Sequence, residues 1–150
     1  MKKIREFSVV FSVGSAGYSL IEILWRGYTH WTMALTGGIC LTALYSMNFK
    51  LCKQKLWKKC LAGSALITVI EFTAGLLINK VFQLNVWDYS ERKFNLMGQV
   101  CPLYSILWFL LCIPVNKLTD HLRAMLQKPF KKQAKLPISS VKALLRPTKE

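Results

Sequence analysis

The sequence predicts an all-α, polytopic membrane protein: four transmembrane helices in an antiparallel bundle. Three observations carry that reading. The apolar residues fall into four blocks, residues 7–25, 31–47, 61–79 and 97–115, each close to the ~20 residues that cross a ~30 Å hydrocarbon core. The segments between the blocks are short and leave little chain for a soluble domain. Finally, the basic residues are divided very unevenly among those segments.

That division sets the threading. The net charge is +14 although only 19% of residues are charged. Lys2, Lys3 and Arg5 precede the first block, and Lys50, Lys53, Lys55, Lys58 and Lys59 separate the second from the third. Nine more basic residues, from Lys117 to Lys149, follow the fourth. Between the first and second blocks stands Arg26 alone; between the third and fourth stand Lys80, Arg92 and Lys93. Seventeen basic residues thus lie on one side and four on the other. Cytoplasmic loops carry the Lys/Arg excess, so both termini are expected in the cytoplasm and the chain in the plasma membrane. An odd number of spans would put a basic region on the wrong side. Topology accounts for the charge, and no recognition motif accompanies it, so nucleic acid is not an expected partner.

The first block follows a basic start, as a signal peptide does, but its apolar run is too long and ends in Leu24-Trp25-Arg26 without small residues. It reads as a retained helix. The short turn around Gly27 makes the second block its antiparallel neighbour. The third follows a basic linker, and the segment 80–96, with Val86-Trp87-Asp88-Tyr89-Ser90, reads as interfacial or partly re-entrant. Trp25, Trp31 and Trp87 are expected at one membrane surface, Trp57 at the other, and Trp108 packed against a neighbour within the fourth span. Residues 1–127 form the expected membrane domain, with the last helix continuing to about Gln127. Residues 128–150 are a basic cytoplasmic tail.

Small and weakly polar residues recur on one face of each helix: Ser8, Ser12, Ser15, Ser19, Glu22 and Arg26 in the first; Thr32, Thr36, Cys40 and Ala43 in the second; Ser64, Thr68, Glu71, Gly75 and Asn79 in the third; Gly98, Cys101, Ser105, Trp108 and Cys112 in the fourth. Such faces let helices approach closely and exchange hydrogen bonds. They are expected to face the bundle interior, either as plain packing surfaces or as the walls of a polar path. Glu71 stands out near mid-span. A carboxylate there costs at least a few kcal/mol, so it should face inward and be partnered by hydroxyl or amide groups or stay protonated. Glu22 and Arg26 are spaced for a helical ion pair. His30 reads as a solvated loop residue and Asp88 as a loop-fixing one.

The five cysteines make no disulfide framework. Cys40, Cys101 and Cys112 fall inside spans, and Cys52 and Cys60 in the basic loop. No metal-ligand spacing occurs, and no cofactor is expected. The phosphate-binding Gly-x-x-x-x-Gly-Lys-Ser/Thr loop, the Gly-x-Ser-x-Gly elbow and His-Glu-x-x-His are all absent, so the chain is not expected to be an enzyme.

One group of residues carries a resemblance. Glu22-x-x-Trp25-Arg26-Gly27, Glu71-Phe72-x-x-Gly75, Asn79, Val86-Trp87-Asp88-Tyr89-Ser90, Phe94-Asn95, Gly98-Gln99 and Cys101 resemble the ABC-transporter type IV family over about residues 13–115, the basic tail excluded. The resemblance implies a bacterial inner-membrane protein with a permease role. Through it Glu22, Arg26, Glu71, Asn79, Trp87, Asp88, Asn95 and Gln99 become candidates for a substrate or ion path. Two functions are expected. One is a permease or permease subunit with a polar centre at Glu71. The other is a membrane scaffold or regulator whose buried polar residues only specify packing. The expected partners are the bilayer, a cytoplasmic protein or anionic lipid at Lys50, Lys53, Lys55, Lys58, Lys59 and the tail, and further copies of the chain or a separate ATPase.

Overall fold

A computed structural model describes residues 2–127. The expected basic tail, 128–150, lies outside the described residues. These fold into four helices with no strand among them: α1 (Lys2–Arg26), α2 (Trp31–Lys50), α3 (Leu56–Gly75) and α4 (Pro102–Gln127). The chain continues beyond α3 in π-helical turns, Leu76–Val81. Three helices are long and apolar enough to cross a membrane: α1, α3 with its π-helical extension, and α4. That makes a multi-pass membrane protein. α2 falls outside this group. Ten of its residues are buried, Thr32, Thr36 and Asn48 among them, so these polar side chains meet protein.

Local chemistry sets the helix ends. Gly27 ends α1 at φ 80°, with its N–H donating to Ile23 O at 2.8 Å, a left-handed cap that glycine adopts without steric penalty. His30 is the N-cap of α2, its ring nitrogen accepting from Thr32 N at 3.4 Å. The histidine is a half-buried cap rather than the expected solvated loop residue. Pro102 opens α4, where a missing N–H is harmless. The fourth helix therefore begins five residues later than the expected residue 97. Met97 (φ 54°) and Gly98 (φ 72°) lie in left-handed conformations incompatible with helix, so Gly98 and Cys101 lie ahead of the α4 face rather than on it. The expected continuation to Gln127 is observed. The third helix starts at Leu56, ahead of the expected residue 61, which carries Lys59 and Cys60 out of the linker and into buried helical positions.

The antiparallel α1–α2 pair depends on glycine. A Cβ on Gly14 would meet Gly37 O at 2.6 Å, and one on Gly38 would meet Ser15 Oγ at 2.6 Å. The inward face of α1 is Val10, Gly14, Tyr18 and Glu22; Ser8 and Ser12 are exposed, and Ser12 Oγ returns to Ser8 O at 3.0 Å. The serine stripe thus flanks the packed face instead of forming it, and the Ser12 hydroxyl is satisfied by its own helix. α3 packs on α4 through Ser64 Oγ to Ser105 O at 2.5 Å and Thr68 Oγ1 against Ser105 Oγ at 3.0 Å. Cys40, Leu44, Cys60, Ile67 and Cys112 form the apolar core between these pairs. Asn48 Nδ2 donates to Thr119 Oγ1 at 2.9 Å, tying α2 to α4.

Gly37→Leu is therefore expected to wedge α1 from α2 and to destabilise the bundle by about 1–3 kcal/mol, measured by thermal melting of the purified protein in detergent. Melting identical to wild type would contradict the close approach.

Candidate functional site

The buried polar side chains of the loop end of the bundle form two connected groups. The first is built around Glu71. It is 3% exposed and accepts from Tyr18 Oη of α1 at 2.8 Å on Oε1 and from Trp108 Nε1 of α4 at 2.7 Å on Oε2. One carboxylate thereby joins three helices. The expected hydroxyl donor is Tyr18, and the other donor is an indole rather than an amide. Trp108 does pack against neighbours, its ring 6.0 Å from that of Tyr18. Tyr18, which is not among the expected site residues, stands four residues before Glu22 and four after Gly14, on the same helix face.

The second group ties residues 82–101 to the helix ends. Arg26 Nη2 donates to Glu22 Oε1 at 2.6 Å, and Thr29 Oγ1 to Glu22 Oε2 at 2.8 Å. Arg26 Nη1 reaches Val86 O at 3.0 Å. Asn79, in the π-helical turns, accepts from Val86 N at 2.8 Å and donates to both Trp87 O and Gln99 Oε1 at 2.9 Å. Trp87 Nε1 donates to Gln99 O at 3.0 Å. Gly75 makes room for this: a Cβ there would meet Gln99 Oε1 at 2.5 Å. Glu22, Arg26, Asn79, Trp87 and Gln99, widely spaced in sequence, thus meet in one network. Trp87 is buried in it, which corrects its expected place among the surface tryptophans; Trp25, Trp31 and Trp57 are exposed.

Asp88 and Asn95 serve the loop itself. Asp88 Oδ1 accepts from Ser90 Oγ at 2.5 Å and Ser90 N at 2.9 Å. Those two bonds, the hydroxyl's first, hold its carboxyl below the usual range. Asn95 Nδ2 donates to Ser90 O and Arg92 O, and its Oδ1 accepts from Gly98 N at 3.0 Å. The loop also holds Gln83, Asn85 and Phe94 at positive φ, strained conformations that persist where surrounding bonds determine them.

A cavity of about 230 Å³ opens beside both groups, between α1 and α4. Tyr18, Trp25, Tyr89, Tyr104 and Trp108 wall it, with Glu22 and Arg26 at its edge. Tyr89 stacks on Tyr104 with centroids 4.3 Å apart. Burial first, and then the charge of Glu71, push the Tyr89 hydroxyl up, so it stays a neutral donor.

Residues 37–144 match the family described as Putative ABC-transporter type IV. The chain belongs to that family. The match begins later than the expected residue 13 and extends past residue 115 into the tail. It takes in Glu71, Asn79 and the whole 82–101 loop, whereas α1, with Tyr18, Glu22 and Arg26, lies before it. No solved structure matches the chain.

Asn79→Asp preserves shape but replaces the amide donor with an acceptor facing Trp87 O and Gln99 Oε1. Each buried group left unpaired costs about 1–3 kcal/mol. Hydrogen exchange at the Val86 and Gln99 amides is expected to accelerate at least about tenfold, since 1.4 kcal/mol corresponds to that factor. Unchanged exchange would show that the loop does not depend on Asn79.

Proposed function

We propose that this chain is a permease, or the permease subunit of a transporter, with all four helices crossing the plasma membrane and both termini in the cytoplasm. Its substrate path runs along the crevice between α1 and α4, past Glu71. The observation that carries the reading is the position of Glu71: a carboxylate deep in a membrane bundle, held by side chains that also wall a cavity. Intramembrane carboxylates are expensive and mark substrate, ion or proton pathways. The family supports a transporter-related role. α2, whose 20 residues follow α1 after a four-residue turn, supports a fourth crossing, and the uneven basic split supports the orientation. Lys50, Lys53, Lys55 and Lys58 are exposed around the α2–α3 connection. They suit a cytoplasmic protein or anionic lipid, worth roughly 1 kcal/mol per basic residue near such a surface. A separate ATPase is one candidate for that protein.

A second reading rests on the same hydrogen bonds. Both Glu71 oxygens are already engaged, which suits a scaffold in which the carboxylate only fixes packing. Glu71→Gln separates the two. If Glu71 carries charge or a proton for transport, the variant is expected to fold and melt normally yet lose flux in proteoliposomes. Retained flux would leave Glu71 a packing residue in a transporter whose path runs elsewhere, and no flux from the wild type would favour the scaffold.

Topology has its own test. Cys52 is the exposed cysteine among the five, and it sits in the basic connection. A membrane-impermeant maleimide is expected to label it in lysed cells and to leave it unlabelled in intact ones. Labelling of intact cells would reverse the threading.

A further inference from the structure

The crevice between α1 and α4 has two compartments. The aromatic cavity beside Glu22 and Tyr104 adjoins a second one of about 300 Å³, and both are lined by Tyr18, Ile21, Trp108 and Leu111. The second is apolar, walled by residues such as Val13, Leu41, Ile67 and Val115. Gly17, Ile21, Pro114 and Leu118 stand exposed along its lip, so the crevice opens sideways on the face of the bundle that lipid covers. At the far end it is shut. There Val10, Leu41, Tyr45 and Leu122 pack together, and Gln127 Nε2 donates to Glu6 at 2.9 Å.

We propose that this crevice binds a lipophilic ammonium compound, its cationic head in the aromatic compartment and its hydrocarbon tail in the apolar one. Three features of the head compartment select the charge. Its walls are aromatic rings, whose faces carry negative potential and attract ammonium within about 6 Å. Tyr18 and Trp108 turn their polar hydrogens toward Glu71 while lining the cavity with the rest of their rings. Glu71 adds a carboxylate behind the wall, held by Tyr18 and Trp108, which line it. Arg26 balances Glu22, the one ion pair among the described residues, which leaves the carboxylate of Glu71 with hydrogen-bond donors but no cation. An anionic head finds no equivalent. Both terminal nitrogens of Arg26 are already bonded, to Glu22 and to Val86 O. The tail compartment offers a hydrocarbon chain a lined slot reached from the bilayer without crossing water.

The inference deepens the permease reading, on which its consequence for transport rests, but binding is separable from flux. The probe is decyltrimethylammonium, titrated into the full chain in zwitterionic nanodiscs against empty discs, with decanol and decyl sulfonate as neutral and anionic controls. Saturable binding of one ammonium per chain is expected, at least tenfold tighter than either control. Tyr104→Leu should weaken it about tenfold, and Glu71→Gln several-fold, with melting retained. Equal binding of all three probes, or an ammonium affinity untouched by both variants, would overturn the proposal. So would disulfide trapping of Gly17→Cys between two chains in the membrane without ammonium binding, which would assign the crevice to a second copy. Glu71-dependent flux without ammonium binding would sink the substrate class and leave the permease; ammonium binding without flux of the compound would do the reverse.

Discussion

The architecture depends on one carboxylate. Glu71 lies in a helix apolar enough to span a membrane, where an unpaired charge is costly. The chain meets that cost with two donors from two other helices, Tyr18 and Trp108. Between apolar helices in lipid there is no hydrophobic drive to associate, so small-residue contacts and interhelical hydrogen bonds carry the assembly. α1 and α2 use the first device, through Gly14, Gly37 and Gly38. α3 and α4 use the second, through Ser64, Thr68 and Ser105. Glu71 joins α1 to the α3–α4 pair at one end, Val10 and Leu122 with the Gln127–Glu6 bond join α1 to α4 at the other, and the crevice lies between the two.

The loop 82–101 has a parallel logic. Its backbone is irregular, so it has no regular partner for its polar groups and borrows side chains instead. Asn79, Gln99, Arg26 and Trp87 satisfy its carbonyls and amides. The π-helical turns that carry Asn79 belong to this scheme. Such turns recur at functional sites in helices, and here they bring one amide side chain within reach of Val86, Trp87 and Gln99. The loop is in turn a wall of the aromatic cavity, through Tyr89. Stability of the loop and shape of the cavity are therefore one problem.

Much of this was legible in the sequence for physical reasons. Apolar blocks of spanning length have few soluble alternatives, and a mid-span Glu71 with Thr68 and Gly75 on its face has few places to point other than inward. The Glu22–Arg26 pair follows from helix spacing. The misreadings arose where periodicity alone was followed. The serine stripe of α1 looked like a contact face because hydroxyls resemble interhelical donors, but a serine can bond its own helix. Residues 97–101 looked helical because they are apolar, whereas Pro102, Met97 and Gly98 set the boundary by backbone conformation. Trp87 matched an interfacial tryptophan by position, and only the long-range meeting of Asn79 with Gln99 shows why it is buried. Tyr18 is not legible because a tyrosine in an apolar run carries no local signal; its partner is 53 residues away.

The tie that the Glu71 carboxylate makes between α1 and the α3–α4 pair is tested most directly by a double-mutant cycle on unfolding in detergent micelles or bicelles. Tyr18→Phe removes one oxygen and nothing else, and Glu71→Leu removes its acceptor. A hydrogen bond to a charged group contributes about 1.5–3 kcal/mol, with smaller values of about 0.6 kcal/mol typical for neutral pairs between membrane helices. The account predicts that Tyr18→Phe costs at least about 1 kcal/mol beside Glu71 and close to nothing beside Leu at that position, a coupling well above the ~0.5 kcal/mol seen for independent sites. Equal costs in both backgrounds would contradict it and leave α1 held by its glycine contacts with α2 and its far-end contacts with α4.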